Sequence, residues 1–131
     1  MPFEWGEYLD LAAELAAMSQ TQIPALQEAR ARTAMSRAYF AAYNRTWQYL
    51  RSIGQTKYKQ DHVTVINLCK LDRRLKQVGE NLARLKKYRN EADYEVNMRP
   101  NPIREAPLAV GLARMVFAEL AALTPQSHPP G

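Results

Sequence analysis

The stretch from Ala25 to Ile53 contains neither proline nor glycine, and Gly54 follows it directly. This pattern predicts one uninterrupted helix over residues 25–53, with Pro24 in its first turn and Gly54 at its end. At about 1.5 Å per residue, such a helix would be about 40 Å long. We therefore expect it to be the central element of a helical domain.

The composition of this predicted helix changes along its length. Alanines recur in it, and small side chains let other helices approach closely. Its second half is rich in large apolar residues, and an aromatic series at helical spacing is more typical of a core or a dimer interface than of a base-stacking surface. We therefore assign to the core Tyr39, Phe40, Tyr43, Trp47, Tyr49 and Leu50.

The remaining segments also indicate helices, over residues 4–18, 62–76, 80–95 and 108–123. Asp61 is the expected N-cap of the helix over 62–76, and Gly79 is the expected break before the helix over 80–95. The first has a predicted buried stripe of Tyr8, Leu11, Leu15 and Met18. The sequence thus predicts an all-α, up-down bundle of about five helices, with one domain over 1–123 and a disordered tail over 124–131.

The cellular setting follows from what the chain lacks. No apolar run approaches the about 20 residues needed to cross a bilayer. The first 20 residues carry four acids and no lysine or arginine, the reverse of a secretory signal peptide. Cys69 is the only cysteine, so no internal disulfide can form. We expect a soluble cytoplasmic protein with no membrane partner.

Several kinds of catalytic motif are missing from the sequence. The five glycines are scattered and form no phosphate-binding loop, and His62, His128 and one cysteine lack the spacing of a zinc site. No cofactor and no metal are therefore expected. Any enzymatic function would depend on acid, base or cation chemistry alone.

Positive charge is concentrated in one segment, because residues 70–89 hold eight bases and two acids. Clustering of this kind is typical of proteins that bind phosphate backbones, although a solvated helical face has the same composition. The candidate RNA-binding residues are Arg73, Arg74, Lys76, Arg84, Lys86 and Lys87.

Two motifs, taken together, resemble the HEPN superfamily of small helical domains. They are "SRAYFAAYN" at residues 36–44 and "RNEADY" at residues 89–94, and the segment "KYKQDHVTVI" between them is also similar to a bacterial branch of that superfamily. The resemblance covers about residues 5–122. It implies a helical bundle that forms a homodimer, and many members are metal-independent endoribonucleases that act as toxins in toxin–antitoxin or defence systems.

The resemblance also implies which residues form the site. Arg89 and Asn90 match an arginine and its polar neighbour, but the three positions where a histidine should follow hold Tyr94, Glu95 and Val96. Candidates to replace the histidine are Tyr94, Asp93 and, from another helix, His62. Ser36, Arg37 and Asn44 are further polar residues that can face the same site.

Partners are implied in the same way. Some relatives are paired with a small nucleotidyltransferase antitoxin that adenylylates a tyrosine near the motif, and Tyr94 is the one candidate acceptor here. Three interpretations stay open: an endoribonuclease, a non-catalytic domain that binds RNA, a nucleotide or a protein, and a structural Arg89–Asp93 ion pair with Tyr94 packed beside it.

Overall fold

The computed structural model describes residues 3–20, 24–55, 61–98 and 101–123. It contains five helices: α1 (Trp5–Ser19), α2 (Pro24–Ser52), α3 (His62–Leu71), α4 (Lys76–Tyr94) and α5 (Pro102–Leu123). Within these ranges there is no strand. The predicted all-helical bundle is confirmed, whereas the predicted tail over 124–131 lies outside the described residues.

The long helix α2 lies at the centre of the bundle and packs on α1, α4 and α5, while α3 packs on α4. Its bounds agree with the prediction, and Gly54 follows it with a φ of 87°, a conformation that favours glycine. Its buried alanines face the neighbouring helices: Ala31, Ala34, Ala38, Ala41 and Ala42. Tyr39, Tyr43, Tyr49 and Leu50 are buried among them, as expected.

The predicted stripe of α1 is only partly correct. Leu11 and Met18 are exposed, and the buried side chains are instead Leu9, Ala12, Ala16 and Ser19. The small side chains of Ala12 and Ala16 allow α1 to approach α2 closely, which a stripe of large residues would prevent. Tyr8 and Leu15 are half-buried at the edge of the core.

The boundary between α3 and α4 differs from the prediction. A turn over residues 72–75 replaces the expected last turn of α3, and Gly79 lies inside α4 rather than at a break. The carboxylate of Asp72 accepts a hydrogen bond from the backbone N–H of Arg74 at 2.9 Å, which stabilises the turn. The turn leaves Leu71 86% exposed, whereas Leu75 is 1% exposed and belongs to the core.

Gly79 is required for close packing and not for a break. A Cβ at this position would lie 2.8 Å from the backbone nitrogen of Lys70 and 3.1 Å from the Cβ of Cys69. The absence of a side chain therefore sets how closely α3 approaches α4.

Gly79→Ala is expected to lower the free energy of unfolding by about 1–3 kcal/mol, because the new methyl group overpacks the α3–α4 contact. Gly111→Ala is the matched control, since a Cβ there meets no atom within 4 Å and alanine favours a helix by about 1 kcal/mol over glycine. Urea denaturation measures both changes. A Gly79→Ala variant as stable as the wild type would contradict the close approach.

Helix α5 begins six residues earlier than predicted, at Pro102 instead of 108, and contains Pro107. Asn101 caps it, because its side-chain oxygen accepts from the N–H of Ile103 at 2.9 Å. Pro107 has no N–H to donate to the carbonyl of Ile103, four residues earlier. That carbonyl accepts instead from Nε2 of Gln20 at 2.9 Å, at the end of α1. A tertiary hydrogen bond thus replaces the one that the proline removes.

Helix α5 is also long and apolar enough to cross a membrane by length and composition. This corrects the expectation that no segment has that property. The core helix of a soluble protein can have the same length and composition, and eight residues of α5 are buried in the bundle.

Candidate functional site

Side chains from three helices meet near the end of α4. The contacts join Ser36 and Phe40 of α2 to Asp93 and Arg89 of α4, so these two helices run antiparallel. His62, the first residue of α3, contacts the ring of Phe40, with ring centroids 6.3 Å apart. We call this group of residues the α2–α4 cluster.

Arg89 is the centre of the α2–α4 cluster. Its Nε lies 3.0 Å from Oδ2 of Asp93, although the N–H does not point at that oxygen, so the contact is an ion pair more than a hydrogen bond. Ser36 donates to the same carboxylate oxygen at 3.2 Å. The guanidinium carbon lies 5.1 Å from the ring centroid of Phe40 and 5.4 Å from that of Tyr94. Two cation–π contacts and one carboxylate therefore hold the guanidinium in place.

His62 is held by the aromatic residues of α2. Its ring stacks on Tyr43, with centroids 4.2 Å apart and planes inclined by 2°, and its Nδ1 shares a hydrogen bond with the hydroxyl of Tyr39 at 2.5 Å. Burial lowers the pKa of His62, and the charges of Arg89 and Lys86 lower it further. The imidazole is therefore neutral at pH 7.

The two tyrosines around His62 are kept protonated. Burial raises the pKa of Tyr43 to about 12, and it raises that of Tyr39 further above the ordinary value of 10. The hydroxyl of Tyr43 is buried and has no hydrogen-bond partner among the described residues. Neither phenol therefore ionises near neutral pH, and both serve the cluster as apolar or hydrogen-bonding surfaces.

The pH dependence of folding is expected to report on His62. Its pKa is lower in the folded protein than the ordinary 6.5, so below pH 6.5 protons bind preferentially to the unfolded chain. The contribution of His62 to stability is thus complete above pH 6.5 and decreases as the pH falls through that value. Thermal melting between pH 7.5 and 5 should show a steeper loss for the wild type than for His62→Gln. Parallel losses would show that the environment of His62 does not disfavour its charge.

The C-terminal end of α4 is fixed by Arg32 of α2. Its guanidinium donates to the backbone carbonyls of Ala92, Glu95 and Val96, at 3.1, 2.5 and 3.1 Å. These carbonyls have no partner within the helix. A positive charge beside them also interacts favourably with the negative end of the helix dipole. Arg32 therefore positions the helical turn that carries Asp93 and Tyr94.

Arg32→Met is expected to destabilise the protein by about 1–3 kcal/mol, because it leaves three carbonyls, one of them partly buried, without this donor. Hydrogen exchange should become faster at the backbone amides of residues 90–95, since the last turn of α4 loses its anchor. Arg51→Met, an exposed change at the end of α2, is the control and should alter stability by less than about 0.5 kcal/mol. Unchanged exchange in Arg32→Met would contradict this role.

The structure places some of the predicted site residues inside the α2–α4 cluster and others beside it. Arg89, Asp93 and His62 lie in the α2–α4 cluster, and Tyr94 borders it with 68% of its side chain exposed. This exposure differs from the packed tyrosine of the third interpretation, although the Arg89–Asp93 ion pair of that interpretation is present. Asn90 lies on the adjacent side of α4 and accepts from Nη1 of Arg89 at 3.4 Å.

The three polar residues of α2 have different positions. Ser36 joins the cluster as predicted. Arg37 does not, because its guanidinium lies over the ring of Tyr8 on the side of α1, 5.2 Å from the centroid. Asn44 donates along its own helix to the carbonyl of Phe40 at 2.9 Å.

The basic side chains predicted to bind RNA are available to solvent. Lys86 is half-buried, and the exposed ones are Arg73, Arg74, Lys76, Arg84 and Lys87. Arg74 also lies 3.5 Å from the carboxylate of Asp72. Lys86 is close enough to His62 to lower its pKa, so the basic segment reaches the cluster.

Sequence reasoning missed the contribution of Tyr39, Phe40 and Arg32. The two aromatic residues belong to the "SRAYFAAYN" segment, where their helical spacing alone indicates a core. Their contacts with His62, at the start of α3, become visible only in the fold. Arg32 has no signal in the sequence beyond its place in the first half of α2.

Comparison with protein-family models, with curated proteins and with solved structures finds no match to this chain. Among the described residues, no group of three or more histidine, cysteine, aspartate and glutamate side chains is placed to hold a metal ion.

Proposed function

We propose that this protein is a HEPN-like domain that binds RNA at the α2–α4 cluster and cleaves it without a metal ion, as a toxin or defence protein. The observation that carries this proposal is the meeting of Arg89, His62 and the half-buried Lys86 beside an exposed basic segment. An arginine, a neutral histidine and surrounding positive charge are the groups that phosphodiester transfer requires.

The proposed role of Arg89 is to stabilise negative charge on the phosphate. Its guanidinium is oriented by Phe40, Tyr94 and Asp93, so little conformational freedom is lost when it binds an anion. During cleavage the ribose 2′-oxygen loses its proton to a base and attacks phosphorus, the bond from phosphorus to the 5′-oxygen breaks, and the 5′-oxygen takes a proton from water. The products are a 2′,3′-cyclic phosphate and a 5′-hydroxyl. The charge that develops on the phosphate oxygens is the charge that Arg89 would stabilise.

The proposed role of His62 is that of the base. For this role its Nδ1 donates to the hydroxyl oxygen of Tyr39, which leaves Nε2 free to accept the proton of the 2′-hydroxyl. A lowered pKa keeps the imidazole unprotonated at neutral pH, as a base requires. His62 would thereby replace the histidine that the sequence lacks after Asn90, and Tyr94 would contribute a hydrogen bond to the RNA.

A second function, RNA binding without cleavage, is favoured because Arg89 and His62 already have partners within the protein. Asp93 already neutralises Arg89. If the protonated Tyr39 donates to Nδ1 of His62, the neutral ring carries its proton on Nε2 and acts only as a hydrogen-bond donor. In that tautomer the cluster binds a phosphate but takes no proton from the 2′-hydroxyl.

Partners belong to the proposal as well. We propose a homodimer, in which two copies of the cluster would serve one RNA, in the cytoplasm. A small nucleotidyltransferase antitoxin is the proposed cognate partner. The exposed Tyr94 is its candidate adenylylation site, since an exposed hydroxyl is accessible to a modifying enzyme.

Arg89→Ala is expected to reduce RNA cleavage by about 10²–10³-fold, because one group that stabilises transition-state charge is lost. The measurement is the appearance of 2′,3′-cyclic phosphate ends on a labelled single-stranded RNA in the presence of EDTA. Arg51→Ala, an exposed change at the end of α2 outside the cluster and the basic segment, is the control purified in the same way. Equal cleavage by wild type and Arg89→Ala would overturn the catalytic assignment.

The affinity of the wild type for RNA, measured beside cleavage, distinguishes the two functions. For four phosphate contacts, affinity for single-stranded RNA should fall about fifty-fold between 50 and 200 mM salt. Salt-dependent binding by a wild type that leaves RNA intact would support the second function. Absence of binding would overturn both.

A further inference from the structure

We propose that the groove between α3 and α4 holds one base of the single-stranded RNA, and that it prefers bases with an exocyclic amino group to uracil. This inference rests on the proposed function and names the substrate of the same site. The groove has a volume of about 390 Å³, within the range of pockets that hold small ligands. A single nucleotide fits such a volume.

The groove adjoins the α2–α4 cluster directly. Asn90 lines it and accepts a hydrogen bond from Nη1 of Arg89 at 3.4 Å. Val63, at its other wall, follows His62 in the chain. A phosphate bound at Arg89 and His62 would therefore place the attached nucleotide at the mouth of the groove.

The lining of the groove has an apolar part and a basic part. Val63, Ile66 and Ala83 form the apolar part, which the flat face of a base would cover. Lys86 and Lys87 line the same groove and supply positive charge for a phosphate backbone. A nucleotide offers both a flat base for the apolar part and a phosphate for the lysines, so the combination favours a nucleotide.

The remaining lining groups select the edge of the base. Asn67 and Asn90 each offer a donor and an acceptor, the pair of groups with which asparagine binds adenine. Glu91 and Glu95 offer acceptors only. An amino group of adenine, cytosine or guanine can donate to these carboxylates. Uracil has a carbonyl oxygen in the position of the cytosine amino group, and the carboxylates would repel this oxygen.

The test uses octamers of adenine, cytosine and uracil with 2′-fluoro sugars, which lack the 2′-hydroxyl and cannot be cleaved by its attack. Fluorescence anisotropy should show that the wild type binds the adenine and cytosine octamers at least about tenfold more tightly than the uracil octamer. In the double variant Glu91→Gln and Glu95→Gln, this ratio should fall towards one. The overall affinity should rise, because two negative charges are lost.

A second variant tests the groove independently of charge. Asn67→Ala changes an exposed residue of α3 that lines this groove, and it should weaken binding of the adenine octamer by about tenfold. Gln48→Ala, an exposed change on α2 away from the groove, is the control and should leave binding unchanged. Circular dichroism checks that both variants are folded.

The outcomes separate this inference from the function on which it rests. Equal, salt-dependent binding of all three octamers by the wild type would overturn base selection in the groove and leave RNA binding at the cluster intact. Loss of discrimination in Asn67→Ala with full discrimination in the glutamine double variant would overturn the role of the carboxylates. Absence of binding to every octamer would overturn both proposals and leave the groove to a protein partner.

Discussion

The small side chains on the surface of α2 are the constraint on which the rest of the structure depends. Three helices pack on it at once, and the distance between helix axes is set by the side chains at the contact. Alanines that are fully buried supply that surface, namely Ala31, Ala34, Ala38, Ala41 and Ala42. A larger residue at any of them would move a whole helix and not only one side chain.

The same helix also builds the candidate site, since large residues alternate with the small ones. Tyr39 and Tyr43 hold the ring of His62, while Phe40 lies under the guanidinium of Arg89. One rigid element therefore determines the relative positions of groups from α3 and α4. Ser36 and Arg32 extend this control by one and two turns, because they bind the side chain of Asp93 and the end of α4.

Local signals in the sequence predicted the elements that local physics controls. Pro24 begins α2, Gly54 ends it in a positive-φ conformation, and Asp61 caps α3 by accepting from the N–H of Val63 at 2.9 Å. The ion pair between Arg89 and Asp93 was also predictable, because residues four apart on a helix are neighbours.

Tertiary contacts explain what the sequence did not predict. Gly79 was expected to break a helix, but its function is defined by the backbone of Lys70, which only the fold places beside it. The buried face of α1 was misplaced because close approach to α2 favours its alanines over Leu11 and Met18. The position of His62 in the cluster depends on how α3 packs against the rest of the bundle. No spacing within the chain reports that arrangement.

The hydrogen bond from Gln20 to Ile103 also bears on the order of folding. It joins residues 83 positions apart, and it provides the donor that Pro107 removes from α5. An isolated peptide spanning α5 lacks this donor, so its N-terminal turns gain their full set of hydrogen bonds only when α1 is in place. The beginning of α5 is thus completed by its docking against α1.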